Sequence, residues 1–206
     1  SGPGENGVLL NTFGDLGQQA YLGSSSSGED TYLWQPLNYT PNTNSRPVVI
    51  FSTFMEIEDS TNFRYDDFGW EVFNRDGDPL FLLDFDNSNL NVYYLLNDGA
   101  GFHDTGLTFQ NDWIYYLEVT MDFGRNRWSA TIDDKILVQN QPISASNIGL
   151  NLGDIDAVWF KTSELFGDNY MVVRWNDDSD ASYTLWFKKG EQTGNAGSWI
   201  LHVDKF

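Results

Sequence analysis

The 206-residue sequence contains no cysteine. Disulfide frameworks, thiolate nucleophiles and cysteine-held metals are thereby excluded. Histidine is nearly as scarce, with only His103 and His202. Eleven Lys and Arg face thirty Asp and Glu, giving a formal net charge of −19 and a pI near 4.1. A field of that sign repels phosphate backbones and anionic lipid, which argues against nucleic acid and membrane surfaces as partners. No apolar run approaches the roughly 20 residues that a membrane-spanning helix needs. The opening SGPGENGVLL has no basic segment leading into an apolar one, so any secretion signal is expected to lie outside this sequence. There is no G-x-S-x-G elbow, no H-E-x-x-H and no phosphate-cradling glycine loop. Helical periodicity is absent apart from a short piece near Ser163–Phe166.

What is present is aromatic and alternating. Phe, Trp and Tyr make up 16% of the residues, eight of them Trp, enough to build a large core. The length suits one β-sandwich spanning residues 1–206. Trp113–Phe123 (WIYYLEVTMDF) alternates over eleven residues, placing Trp113, Tyr115, Leu117, Val119, Met121 and Phe123 on one face. Gly124-Arg125-Asn126 turns it into Arg127–Asp133, with Trp128, Ala130 and Ile132 inward, and Asp133-Asp134-Lys135 turns it again. Further strands are expected at Val48–Ile57, Phe68–Asn74, Leu80–Phe85, Asn91–Leu96, Ala157–Lys161, Tyr170–Trp175, Tyr183–Lys188 and Trp199–Phe206. Turn-forming residues separate them, while Gly23–Asp30 and Pro36–Pro47 read as irregular connections. Many short strands at even spacing predict an all-β, two-sheet antiparallel sandwich of jelly-roll type.

Several constellations carry possible chemistry. His103 and Asp104 are neighbours in GAGFHDTG, read as a loop, where adjacent side chains usually diverge. Glu56 and Glu58 would share a strand face about 7 Å apart, a spacing that suits paired-carboxylate glycoside cleavage. The E-x-D-x-x-E pattern of laminarinase-like glycosidases is not completed there, because no Glu follows Asp59 at the required spacing. SYTLWFKKGEQTGN distantly resembles a strand of jelly-roll alginate lyases through Phe187, Lys188 and Gly190, with Tyr183 and Lys188 as the residues to mutate. The Arg-rich and Gln-x-His strands of those lyases are missing.

Oxygen-rich clusters point to calcium, which takes 6–8 oxygen ligands. In LFLLDFDNSNLN (80–91) the candidate ligands are Asp84, Asp86, Asn87 and Asn89. Phe81, Leu83 and Phe85 alternate into the core, leaving Leu82, Asp84 and Asp86 on the opposite face. That face could flank a cation, line a sugar groove or simply meet water. Sugar rings present C–H faces that stack on aromatics, and their hydroxyls need polar neighbours. Trp34 and Trp175 stand where strands run into polar loops, one of Tyr93 and Tyr94 must face outward, and Phe102 has no evident core to join. The candidate sugar-binding residues are therefore Trp34, Tyr94, Phe102, Trp175, Asp84 and Asp86.

The run FGWEVFNRDGDPLFLLDFDNSNLNVYYLLNDG (68–99), followed by LTFQNDWIYYLEVTMDFGRNRWSATID (107–133), is similar to laminin G-like, concanavalin A-type sandwich domains of bacterial secreted proteins. The resemblance implies a jelly roll of about twelve strands, a structural calcium at the rim, and a concave face able to bind glycans. The expectation is a secreted or cell-surface module that binds a polysaccharide or glycan without catalysis, with membership of a longer multidomain protein left open. A polysaccharide lyase or glycoside hydrolase, and a calcium-stiffened adhesion module, are the alternatives.

Overall fold

The computed structural model describes residues 6–10, 13–14, 18–24, 29–34, 36–39, 47–145, 148–161, 167–174 and 198–202. These residues form fifteen strands and no helix. The back sheet runs, in spatial order, β1 (Asn6–Leu10), β2 (Gln18–Gly23), β14 (Tyr170–Arg174), β5 (Val48–Ile57), β10 (Tyr115–Asp122), β11 (Arg127–Ile132) and β12 (Lys135–Gln141). The short β15 (Ser198–His202) lies parallel to the first half of β5, while β14 pairs with its second half. The front sheet runs β3 (Thr31–Leu33), β13 (Leu152–Phe160), β6 (Asp67–Phe73), β7 (Pro79–Asp86), β8 (Asn91–Leu96) and β9 (Phe102–Thr108). Next to β3, β4 (Pro36–Tyr39) completes the same edge of β13. All the pairings except that of β15 are antiparallel.

The core fills the space between the sheets, and strand alternation selects it. Leu117, Val119 and Met121 of β10 are buried while the residues between them are half-exposed, the period-2 pattern of a one-sided sheet. From the front sheet come Phe68, Trp70 and Val72, then Phe81, Leu83 and Phe85, then Ala157 and Trp159. Large rings join the layers. Phe81 stacks on Trp128 at 3.9 Å between centroids, and Phe51 meets Trp70 at 4.9 Å. Trp70 Nε1–H also donates to Met55 Sδ across the sandwich. Ring pairs of this kind are worth about 0.5–1.5 kcal/mol beyond the area they bury. At the β11–β12 turn both Asp133 and Asp134 have positive φ, 46° and 64°. A two-residue turn of that hand matches the twist of the strands it joins.

Three features differ from the sequence expectation. GAGFHDTG is not a loop throughout: Gly99 and Gly101, with φ of 76° and 85°, end the turn, and Phe102–Thr108 pairs with β8. Its alternation was hidden because its outward positions include Asp104, Gly106 and Thr108 instead of large polar groups. Trp113 is not core but 56% exposed, since Asp112 turns the chain at φ 57° and pairing starts only at Tyr115. The strand count rises from about twelve to fifteen, because β1–β4 are short and set among turn-rich segments. The expected strand Tyr183–Lys188 and the piece near Ser163–Phe166 lie outside the described residues.

Candidate functional site: an acidic groove on the outer front sheet

Alternation that sends Phe81, Leu83 and Phe85 inward sends Leu82, Asp84 and Asp86 outward, and the outward face is not flat. Asp67, Leu82, Asp84, Asp86, Tyr93, Phe102 and Phe160 line a groove of about 430 Å³. Strand register orders its floor in rows. One row runs Phe160, Asp67, Asp86 and Asn91; the next Val158, Gly69, Asp84, Tyr93 and Asp104; the third Asp156, Glu71, Leu82, Leu95 and Phe102. Successive rows are about 7 Å apart along the strands. Leu82 and Val158 are buried although neither belongs to the core between the sheets, so this outer face has its own sheltered interior.

Gly69 shapes the floor. A Cβ there would stand 2.7 Å from Leu82 Cδ1 and 2.8 Å from Phe160 Cε2, so the missing side chain lets those two apolar groups meet over the strand. Phe102 forms one rim. It is 58% exposed and meets Tyr93 edge-on at 6.4 Å.

The carboxyls set the electrostatics. Asp84 is only 6% exposed and accepts no hydrogen bond among the described residues. Burial, then repulsion from Asp67 and Asp86, pushes its carboxyl up to about 8. Asp67 stands directly across from Asp86, and burial followed by that neighbour raises it to about 7. A hydrogen bond between the two carboxyls favours protonated Asp67, while the Asn87 backbone N–H opposes the shift by donating to it. Further along the face, Glu71 and Asp156 also oppose one another. Burial, then Asp30 and Asp154, raises Glu71 to about 7; burial, then Asp154 and Glu71, raises Asp156 to about 8. Tyr32 beside them is pushed to about 12, chiefly by burial and then by Glu71. Among the described residues, no lysine, arginine or histidine side chain offsets any of these four carboxyls.

The sequence-predicted residues divide. Asp84, Asp86 and Phe102 meet in the groove. Tyr94 faces the core instead, stacked on His103 at 4.9 Å, and Tyr93 takes the groove position. His103 and Asp104 therefore point to opposite faces of β9 and form no dyad. Trp34 is exposed between β3 and β4, at the opposite edge of the sheet from Phe102, and Trp175 lies outside the described residues. Sequence reading did not bring Asp67, Gly69, Glu71 and Asp156 to one face, which follows only from strand pairing. Glu56 and Glu58 lie on β5 and just beyond its end, in the back sheet, with Glu58 raised to about 7 by burial, Glu56 and Asp112.

The four expected calcium ligands do not converge. Asp86 accepts from the Ser88 N–H and hydroxyl and from Asn89 Nδ2, holding the β7–β8 turn. Asn87 turns inward, its Oδ1 accepting from Asn111 Nδ2 at 2.9 Å, and Asn89 Oδ1 accepts from the Asn91 N–H. No three Asp, Glu or His side chains among the described residues are placed to share a cation. Oxygen atoms crowd the backbone at Gly167, where only a glycine fits. There Arg64 O, Asn169 Oδ1 and Asp66 Oδ2 crowd the space a Cβ would take, at 2.4, 2.6 and 2.9 Å from it. Asp66 and Asn169 are each 1% exposed.

No protein-family model matches the sequence, and no curated protein matches it. Among solved structures the chain is similar to the "Cellulose induced protein, Cip1", with a TM-score of 0.57 at 9% identity over 82% of this chain and 83% of that one. It is also similar to part of a "Sialidase", TM-score 0.56 at 7% identity over 82% of this chain, of which it spans only 16%. A third is a carbohydrate esterase from the Shiga toxin-encoding bacteriophage phi24B, TM-score 0.50 at 10% identity, covering 84% of this chain and 88% of that one. At these identities the likeness is one of fold, and it is consistent with a concanavalin A-like sandwich.

Proposed function

We propose that the chain is a glycan-binding module whose site is the outer groove of the front sheet, acting without catalysis. The observation that carries the reading is the pairing of the exposed Phe102 ring and the half-buried Tyr93 ring with the sheltered carboxyl of Asp84. Sugars need both: an apolar platform for the ring face and fixed polar groups for the hydroxyls. Two fold neighbours carry titles that name carbohydrate-acting enzymes, which favours a glycan ligand for this fold in either a binding or a catalytic role. A glycan array followed by calorimetric titration of the best hit tests it. Binding that Phe102→Ala weakens supports the groove; binding unaffected by both Phe102→Ala and Asp84→Asn overturns it.

One observation favours hydrolysis as a second reading. Asp84, raised to about 8, is a proton donor at neutral pH, and Asp86 follows on the same face about 7 Å away. Two carboxyl groups roughly 6.5–9.5 Å apart suit inversion at a sugar centre. Reducing-end release from the bound polysaccharide, abolished by Asp84→Asn, would establish it. Calcium belongs to the proposal as a rim ion, with the buried Asp66, whose Oδ2 has no hydrogen-bond partner among the described residues, and Asn169 as its candidate ligands, where it would tie the loop before β6 to that before β14. A lower Tm in EDTA, restored by added calcium, is the expected result; an unchanged Tm removes the ion from the proposal.

A further inference from the structure

The groove reading does not by itself name the ligand's charge, but the outer face does. Asp67, Asp84, Asp86, Glu71, Asp154 and Asp156 form an acidic strip across β7, β6 and β13. Two of its members are more than nine-tenths buried: Asp84, which lines the groove without a hydrogen-bond partner among the described residues, and Asp156, whose Oδ1 has none. Buried carboxyls that repel one another are costly to ionise, and a cation placed against them recovers that cost. The strip is not a metal site, because no three of its carboxyls converge. Its charges are spread in rows about 7 Å apart, which suits a ligand carrying several separated cations.

Resting on the glycan reading above, we propose that the groove is specific for glycans bearing free amino groups, such as an oligomer of β-linked glucosamine, whose ammonium groups lie on the carboxyl strip while ring faces pack on Phe102 and Tyr93. N-acetylation removes the positive charge and with it the preference. An oligolysine peptide shares the charge but not the ring faces, so the rim aromatics separate the two ligand classes.

The test is calorimetric titration of the intact chain, near neutral pH, with hexamers of glucosamine, N-acetylglucosamine and glucose, and with hexalysine. The glucosamine hexamer is expected to bind about tenfold or more tighter than the other two sugars, a difference of about 1.4 kcal/mol. That margin should shrink in high salt, where exposed charge pairs are screened, and in Asp84→Asn. Glu71→Gln gives a second reading should Asp84→Asn fail to fold. Phe102→Ala should weaken all sugars and leave hexalysine unchanged. Equal affinity for the three sugar hexamers overturns the amine specificity and leaves the glycan reading standing. Hexalysine binding as tightly as the glucosamine hexamer assigns the strip to polycations in general. No binding by any sugar overturns both.

Discussion

Asp67 and Asp86 face each other across the β6–β7 pairing, with a hydrogen bond between their carboxyls that favours protonated Asp67. Asp86 is committed to the β7–β8 turn through Ser88 and Asn89, so Asp67 is the member that gives way. It holds a proton up to about pH 7 in the folded protein. Asp67→Asn keeps the shape and removes the charge. The variant should therefore be more stable than the native protein above pH 8 and indistinguishable from it near pH 5, by thermal melting at both. Loss of stability at pH 8 would mean that the Asp67 anion is held by favourable contacts.

The same sign governs the other raised carboxyls of the two sheets. Asp84 and Asp156 titrate at about 8, and Asp67, Glu71 and Glu58 at about 7, whereas an unfolded chain releases these protons near pH 4. Between those limits the folded state binds more protons than the unfolded one, so stability falls as pH rises. Repulsion within a chain of net charge −19 acts in the same direction. Tm should be highest near pH 5, drop by at least about 5 °C on reaching pH 9, and level off beyond. A profile rising from pH 5 to pH 8 would contradict the burial of these carboxyls.

Phe102 is 58% exposed at the start of β9 and touches Tyr93 only edge-on, so the fold gains little from it. Phe102→Ala should leave Tm within about a degree of the native value, as surface substitutions usually do. Glycan affinity should fall about tenfold or more, read by titration. A fall in Tm with unchanged affinity would reassign Phe102 to packing.

How far the sequence alone reaches can be judged on β7. The alternation of LFLLDFD gives its inward and outward faces correctly, because core burial forces period 2 on any half-buried strand. Val48–Ile57 and Asn91–Leu96 are legible to the residue for the same reason. β9 is not, since its outward positions are the mixed set Phe102, Asp104, Gly106 and Thr108 and the turn before it contains two glycines of its own. The groove lies further out of reach. Asp67, Glu71 and Asp156 become neighbours of Asp84 only through the β13–β6–β7 pairings, of which the first sets Asp156 against Glu71, 85 positions away, and the second sets Asp67 against Asp86, 19 positions away. Nothing local marks Tyr93 over Tyr94 either; that choice was set when Val92 and Leu96 took the core side of β8.

Gly69 ties fold and site together most tightly. It sits opposite Asp84 in the middle of the groove floor, and its Cα hydrogen stands where any side chain would strike Leu82, Phe160 and the Leu83 carbonyl at 2.7, 2.8 and 3.0 Å. The first two contacts are ends of side chains and can move; the third is backbone and cannot move without disturbing the β6–β7 pairing. Gly69→Ala should therefore cost about 1–3 kcal/mol, the range for overpacking, read as a lower urea midpoint at unchanged slope. Leu82 and Phe160, displaced toward Phe102, would narrow the groove, so glycan affinity should fall even in conditions where the variant is fully folded. An alanine variant that keeps both native stability and native affinity would show that the floor is looser than its contacts imply, and the groove would then lose its fixed shape as the basis of recognition.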